Sequence, residues 1–210
     1  MISTNSREKK NFIEKYIQNN KCKFFNYEII ILKNKGRDVL PFIIQLKNNF
    51  KKYKYVCHIH TKKSLHARMG DEWRNYLLYN LLGNKEIISD ILSDFENNDK
   101  LGLIFPPIYY KILLFFNCEI SKSNLYKMNY LIKQIYPHIK IIDKISEFPA
   151  GNMFWARISA IYQIFNINIE KKFPNELGQL DFTIMHAIER IWTYLAKLNG
   201  YYYKNIFKHS

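Results

Sequence analysis

The chain has 210 residues, with 32 Lys plus Arg against 18 Asp plus Glu, a formal net charge of +14. Apolar residues make up 48% and aromatic ones 16%, which excludes intrinsic disorder despite the charge. The length suits one domain with a small appendage. No apolar run approaches the roughly 18 residues needed to cross a bilayer, and the start MISTNSREKKNFIEKY lacks the apolar stretch of a secretory signal.

Three widely spaced cysteines, Cys22, Cys57 and Cys118, supply neither a disulfide framework nor a thiolate zinc site and suit a reducing cytosol. The lysines travel with many Asn and Ile, so part of the charge is a solvated compositional surface. The rest fits an anionic partner: nucleic acid, an anionic membrane face or a phosphorylated substrate. The aromatics fall mostly within apolar runs instead of alternating with Lys on one exposed face, which disfavours nucleic acid.

In chain order, residues 1–22 read as a polar N-terminal helical segment, with weak periodicity through Phe12, Ile13, Tyr16 and Ile17, followed by the main domain over 23–210. Residues 23–32 (KFFNYEIIIL) end in a β-branched run of strand length. The turn 34–38 (NKGRD) precedes an amphipathic helix over 39–53, and 53–60 (YKYVCHIH) is a strand. The spacing of Trp73, Leu77, Leu78, Leu81 and Leu82 predicts a helix over 71–82 stopped by Gly83, and another runs over 86–96. Residues 101–105 (LGLIF) form a buried strand closed by Pro106-Pro107, and 124–136 form a helix ended by Pro137. The stretch 148–156 (FPAGNMFWA) reads as a Gly-interrupted strand, 158–165 as a short helix, 172–181 as a loop and 182–198 as a helix. Strands alternating with helices predict an α/β layered domain with a mostly parallel sheet flanked by helices.

Four segments gather polar residues and glycines just past strand ends, where an α/β sheet places its ligands. In the first, Asn34, Gly36, Arg37 and Asp38, the glycine permits a tight turn, Arg37 offers a planar fork to phosphate or carboxylate, and Asp38 also fits a helix cap. In the second, His58, His60, Thr61, Lys62, Lys63 and Ser64, the two imidazoles share one face of a strand. They fit either metal ligation or a basic cradle for phosphate oxygens. The third, 148–155, holds Gly151 and the two-way hydrogen-bonding Asn152, with Trp155 suited either to the core or to stacking on a sugar. The fourth, 173–190, carries Glu176 and Asp181 in a glycine-containing loop, suited to base chemistry or to capping, and then His186, Glu189 and Arg190 on one helix.

These segments, in this order, resemble the rhamnan synthesis protein F family of bacterial polysaccharide-biosynthesis proteins. The likeness rests on NKGRDVLPF (34–42), HIHTKKS with GDEWR (58–64, 70–74), LGLIFPP (101–107), FPAGNMFWAR (148–157) and FPNELGQLDFTIMHAIERIW (173–192). The chain departs from the family pattern at Phe182, where Gly usually follows the Asp, at His58, where Lys is common, and at Leu40, a usual Gly.

The resemblance implies a GT-A-like glycosyltransferase domain, cytoplasmic or peripheral at the inner membrane face, with about 33 residues before NKGRD in place of a full nucleotide-binding half. Its partners would be a nucleotide-sugar donor and a glycan or lipid-linked glycan acceptor, with no nucleic acid. Asn34, Gly36 and Asp38 would form the nucleotide turn. His60, Thr61, Lys62, Lys63, Arg37 and Arg74 would hold the diphosphate. Asp181, Glu176 and His186 would serve catalysis, and Gly151, Asn152 and Trp155 would line the acceptor or sugar pocket. No metal or other cofactor is expected, because imidazoles and lysines fit a magnesium ion poorly. The competing expectation is a non-catalytic module that binds a glycan or nucleotide within a larger assembly.

Overall fold

The structure, a computed structural model, describes residues 1–20, 26–61, 69–113, 121–175 and 182–207. It begins with β1 (Ile2–Thr4), α1 (Arg7–Asn19) and β2 (Ile29–Ile31). Ser6 caps α1 by accepting the Lys9 N–H at 3.2 Å. β1 and β2 pair in parallel, Ile2 opposite Ile29. The polar helix and the strand after it stand where the sequence reading puts them, and β1 is the added element; three residues at 2–4 are too few for a period-two pattern to show.

The main sheet has four strands in the order β3-β5-β4-β6: β3 (Tyr55–His58), β5 (Phe154–Arg157), β4 (Leu101–Phe105) and β6 (Tyr202–Asn205). β5 runs antiparallel to both of its neighbours, and the β4–β6 pairing is parallel. The expected mostly parallel sheet is thus corrected to a mixed one. Apolar alternation reports which face of a strand is buried, not which way the chain runs along it.

Helices cover both faces. α2 (Val39–Lys47), α6 (Ser121–Ile135), α7 (Ile158–Ile161) and α8 (Ile184–Leu198) lie on one, α3 (Gly70–Leu82) and α4 (Lys85–Asn97) on the other; a four-residue helix, α5 (Tyr110–Leu113), follows β4. The alternation along β5 divides the layers. Phe154 and Ala156 join the large core with Leu103, Phe105, Trp192 and Phe165, while Trp155 packs on the smaller clusters built from Leu77 and Leu81 and from Ile87 and Ile91. Each large apolar side chain buried here contributes about 1.5–3 kcal/mol.

Next to Trp155 on that second face, Arg157 is buried. Its guanidinium donates to the carbonyls of Leu101 (3.1 Å), Phe95 (2.6 Å) and Asn98 (3.0 Å) and lies 5.2 Å from the Tyr55 ring centroid. A cation on the last carbonyls of α4 complements that helix's negative end. Cys57 is a free thiol that burial pushes up to about 12, so it is protonated and unreactive at neutral pH. No helix among the described residues is long and apolar enough to cross a membrane.

Candidate functional site

The carboxyl ends of β3 and β4 lie at the same edge of the sheet as the start of β5, since β5 runs opposite to both. Four segments that are distant in sequence meet there. Residues 36–38 lead into α2, His58 ends β3 and His60 follows it, residues 149–152 precede β5, and Thr183 and His186 open α8.

Two tight turns carry the cluster. Gly36 and Arg37 both have left-handed backbone, φ 68° and 52°, and so do Gly151 and Asn152, φ 85° and 54°. A Cβ at Gly36 would stand 2.5 Å from Leu40 Cβ and 2.6 Å from the Phe173 ring; one at Gly151 would stand 2.8 Å from Leu77. Phe182 is also left-handed, φ 63°. A bulky side chain is strained there, which gives a physical reason why the family pattern usually has glycine at this position. Two non-glycine residues of the cluster, Arg37 and Asn152, thus hold this conformation, and Phe182 holds it just before α8.

The turns are joined to each other. Asn152 donates from Nδ2 to Asp38 Oδ2 at 2.6 Å, and its Oδ1 accepts the Trp192 Nε1–H at 2.8 Å. His60 donates from Nε2 to the Gly151 carbonyl at 2.8 Å, with Asp38 Oδ2 3.8 Å away. The Gly151 N–H donates to Glu189 Oε1 at 2.7 Å. Arg37 Nη1 lies 3.2 Å from His186 Nε2. Guanidinium can only donate, so this contact needs the lone pair on Nε2; on the other side of the ring Nδ1 lies 2.8 Å from Thr183 Oγ1 and 3.4 Å from the Thr183 backbone N, in the capping box that opens α8. Arg190 is buried, donates to the His186 carbonyl at 2.8 Å and lies over the Phe148 ring.

Asp38 sits at the helix-cap position, but its side chain makes no cap hydrogen bond. The carboxylate turns instead to Asn152 and His60, which overturns the capping reading. Burial pushes its pKa up, but His60 and His58 in their charged forms, with the Asn152 amide, pull it below the usual carboxylate value. His58 is buried and stacked on Phe42, ring centroids 4.0 Å apart. Burial lowers its pKa to about 4, with Asp38 opposing, so it is neutral near pH 7. The rings of His58 and His60 are 6.2 Å apart, on one face as their spacing in a strand requires. The Nδ1 atoms of both are buried without a hydrogen-bond partner. Buried polar atoms of this kind are ones a bound hydroxyl would satisfy.

Of the residues the sequence nominates, Gly36, Arg37, Asp38, His60, Gly151, Asn152 and His186 are brought together. Asn34 lies exposed on the first turn, and Thr61 is exposed after β3, its carbonyl 3.5 Å from Arg74 Nη1. Arg74 pairs with Asp71 at 3.1 Å within α3. Trp155 is not at the cluster: it packs on the opposite face of the sheet and donates its indole N–H to the Leu81 carbonyl at 3.1 Å. Lys62, Lys63, Glu176 and Asp181 lie outside the described residues. At the first turn, Lys35 bridges Asn175 and Arg37 contacts His186, so the described residues on both sides of 176–181 are tied to that turn. The sequence reading set Glu189 in a polar cluster with His186 without its bond to the Gly151 amide, and it missed Trp192 as the anchor of Asn152; the spacing of Trp192, three residues after Glu189, was the available signal.

A family model described as rhamnan synthesis protein F matches residues 1–201. Two curated relatives, each named uncharacterized protein WxcX, come from strain B100 and a second strain of Xanthomonas campestris pv. campestris. Each is 32% identical over 184 residues, covering 85% of this chain and 25% of the relative. The chain thus spans about a quarter of the length of the curated relatives it matches. No solved structure matches it.

Proposed function

The chain belongs to the rhamnan synthesis protein F family, which ties it to polysaccharide biosynthesis, and on that premise we propose that it is a GT-A-like glycosyl-transfer domain. It moves a sugar from a nucleotide-sugar donor to a glycan or lipid-linked glycan acceptor. The observation that carries this reading is the convergence of four segments, including the Gly36–Asp38 turn, His60 and the Gly151–Asn152 turn, at the sheet's carboxyl edge. That edge also receives the N-termini of α2 and α8, whose dipoles favour an anionic group.

In this mechanism Arg37 and His60, with Thr61, Lys62, Lys63 and Arg74, neutralise the departing nucleoside diphosphate. Asp181, with Glu176 second, deprotonates the acceptor hydroxyl. His186 holds Arg37 in place, and Gly151 and Asn152 line the sugar pocket. The donor set of imidazole, ammonium and guanidinium favours a metal-independent cradle. Losing one preorganised donor costs about 10²–10³ in kcat, and losing the base about 10²–10⁴.

The test is transfer by Lys62→Ala and Asp181→Asn proteins across a nucleotide-sugar panel: both should fall by at least 10², and unchanged transfer in both ends the assignment. A second reading, a non-catalytic binding module within a larger assembly, is favoured by the mutual hydrogen bonding of the cluster and by the quarter-length match. Calorimetry separates the two when read beside the assay. Saturable nucleoside-diphosphate binding that Lys62→Ala weakens, without transfer on any panel member, selects the module.

A further inference from the structure

α6 buries Asn124, Met128, Leu131 and Ile132 and turns Tyr126, Tyr130 and Lys133 outward. Tyr126 is 75% exposed. Against this helix lies the turn Glu170–Lys172, where the Lys172 ammonium stands 4.2 Å from the Tyr130 ring centroid. Asn129 seats a second strip on it by accepting the Ile142 N–H (2.7 Å) and donating to the Ile142 carbonyl (2.9 Å). In that strip Lys140 is exposed and Ile141 is 61% exposed.

The sequence of α6 and the strip after it is one-sided in charge. Residues 121–144 contain Lys122, Lys127, Lys133, Lys140 and Lys144 against a single acidic residue, Asp143. Glu170, the acidic residue of the adjoining turn, is tied to Lys47 at 2.8 Å, while Lys171 and Lys172 are exposed, Lys172 against Tyr130. Tyrosine has an apolar ring and a wet hydroxyl, the chemistry of a bilayer's headgroup layer. Lysines around it are drawn to anionic headgroups, and an exposed isoleucine adds apolar reach. A single nucleic-acid strand needs a groove that tracks its backbone, whereas these residues lie on the outer face of a helix.

We infer that this face docks the protein on an anionic phospholipid surface. The inference stands on the face itself and holds whether or not the domain transfers sugar. The test is sedimentation of the full chain with vesicles of phosphatidylcholine alone or with one quarter phosphatidylglycerol, at low and high salt. The expected result is preferential binding to the anionic vesicles that weakens as salt rises. The pair Lys133→Ala and Lys172→Ala should lower partitioning at least tenfold, since each lysine near an anionic surface is worth about fivefold. Tyr126→Ser with Tyr130→Ser should also lower it. An equal-charge control, Lys85→Ala with Lys100→Ala across the sheet, should bind like the parent. Equal binding to both vesicle types, or a control that loses as much as the α6 lysine pair, overturns the proposal. So does lysine-dependent binding of a single-stranded oligonucleotide with no binding to vesicles.

Discussion

Asn152 has no spare polar atom within its amide: Nδ2 serves Asp38, and Oδ1 serves the buried indole of Trp192. Truncating it to Ala strands the Trp192 N–H without water and takes from Asp38 a hydrogen bond that holds its charge. The Asn152→Ala protein should lose about 2–4 kcal/mol of stability, read as a shift of the urea midpoint. A loss below about 1 kcal/mol would show that the amide links are incidental. His58 makes a second, pH-dependent contribution at this scale. Its folded pKa of about 4 lies below its ordinary 6.5, so the unfolded chain takes up the proton first. The contribution is intact above about pH 6.5 and drains as pH falls toward about 4, a loss on the order of 3 kcal/mol. Asp38, also lowered, adds loss in the same direction as pH falls below the usual carboxylate range. Replacing His58 with Phe, which can keep the stack on Phe42, should flatten the stability profile between pH 7 and 4. An unchanged slope would refute the assignment.

At the scale of elements, the entry to α2 depends on Gly36. Alanine there must adopt φ 68° and place its Cβ 2.5 Å from Leu40 and 2.6 Å from Phe173. Left-handed strain and overpacking together should cost about 2–4 kcal/mol, seen as a lowered thermal midpoint; a midpoint equal to the parent's would mean that the turn relaxes freely. The helices are the part of the fold that the residues announce. The apolar spacing of 3–4 along α3, α4, α6 and α8 is present in the sequence and matches the buried faces found. β6 is not legible in the sequence because its burial alternates only between exposed and half-buried at an edge, with Tyr202 45% exposed. The strand expected over 148–156 shortens to Phe154–Arg157, since the left-handed Gly151–Asn152 pair makes a turn of its first half.

For the whole molecule, layering was legible and strand direction was not. Alternating elements announce helices over a sheet, but nothing local in FPAGNMFWAR states that β5 runs opposite to both of its neighbours. The candidate site shows the same division. Residue types in the four motifs nominate Arg37, Asp38, His60, Gly151, Asn152 and His186 singly, while their pairing, such as Asp38 with Asn152 across 114 positions, exists only once the chain has folded. For Trp155 the sequence left both readings open, because a tryptophan beside a glycine turn looks the same whether it faces a ligand or the core; in the fold it packs on the far face of the sheet.

α8 carries three of the anchors, His186 against Arg37, Glu189 against the Gly151 amide and Trp192 against Asn152. A helix moves as a rod, so the two glycine turns have one lever and cannot loosen separately. Damage deep in its packing, at Leu195 or Ala196, would therefore reach both at the same moment, and the site would behave as a single unit, either assembled or lost.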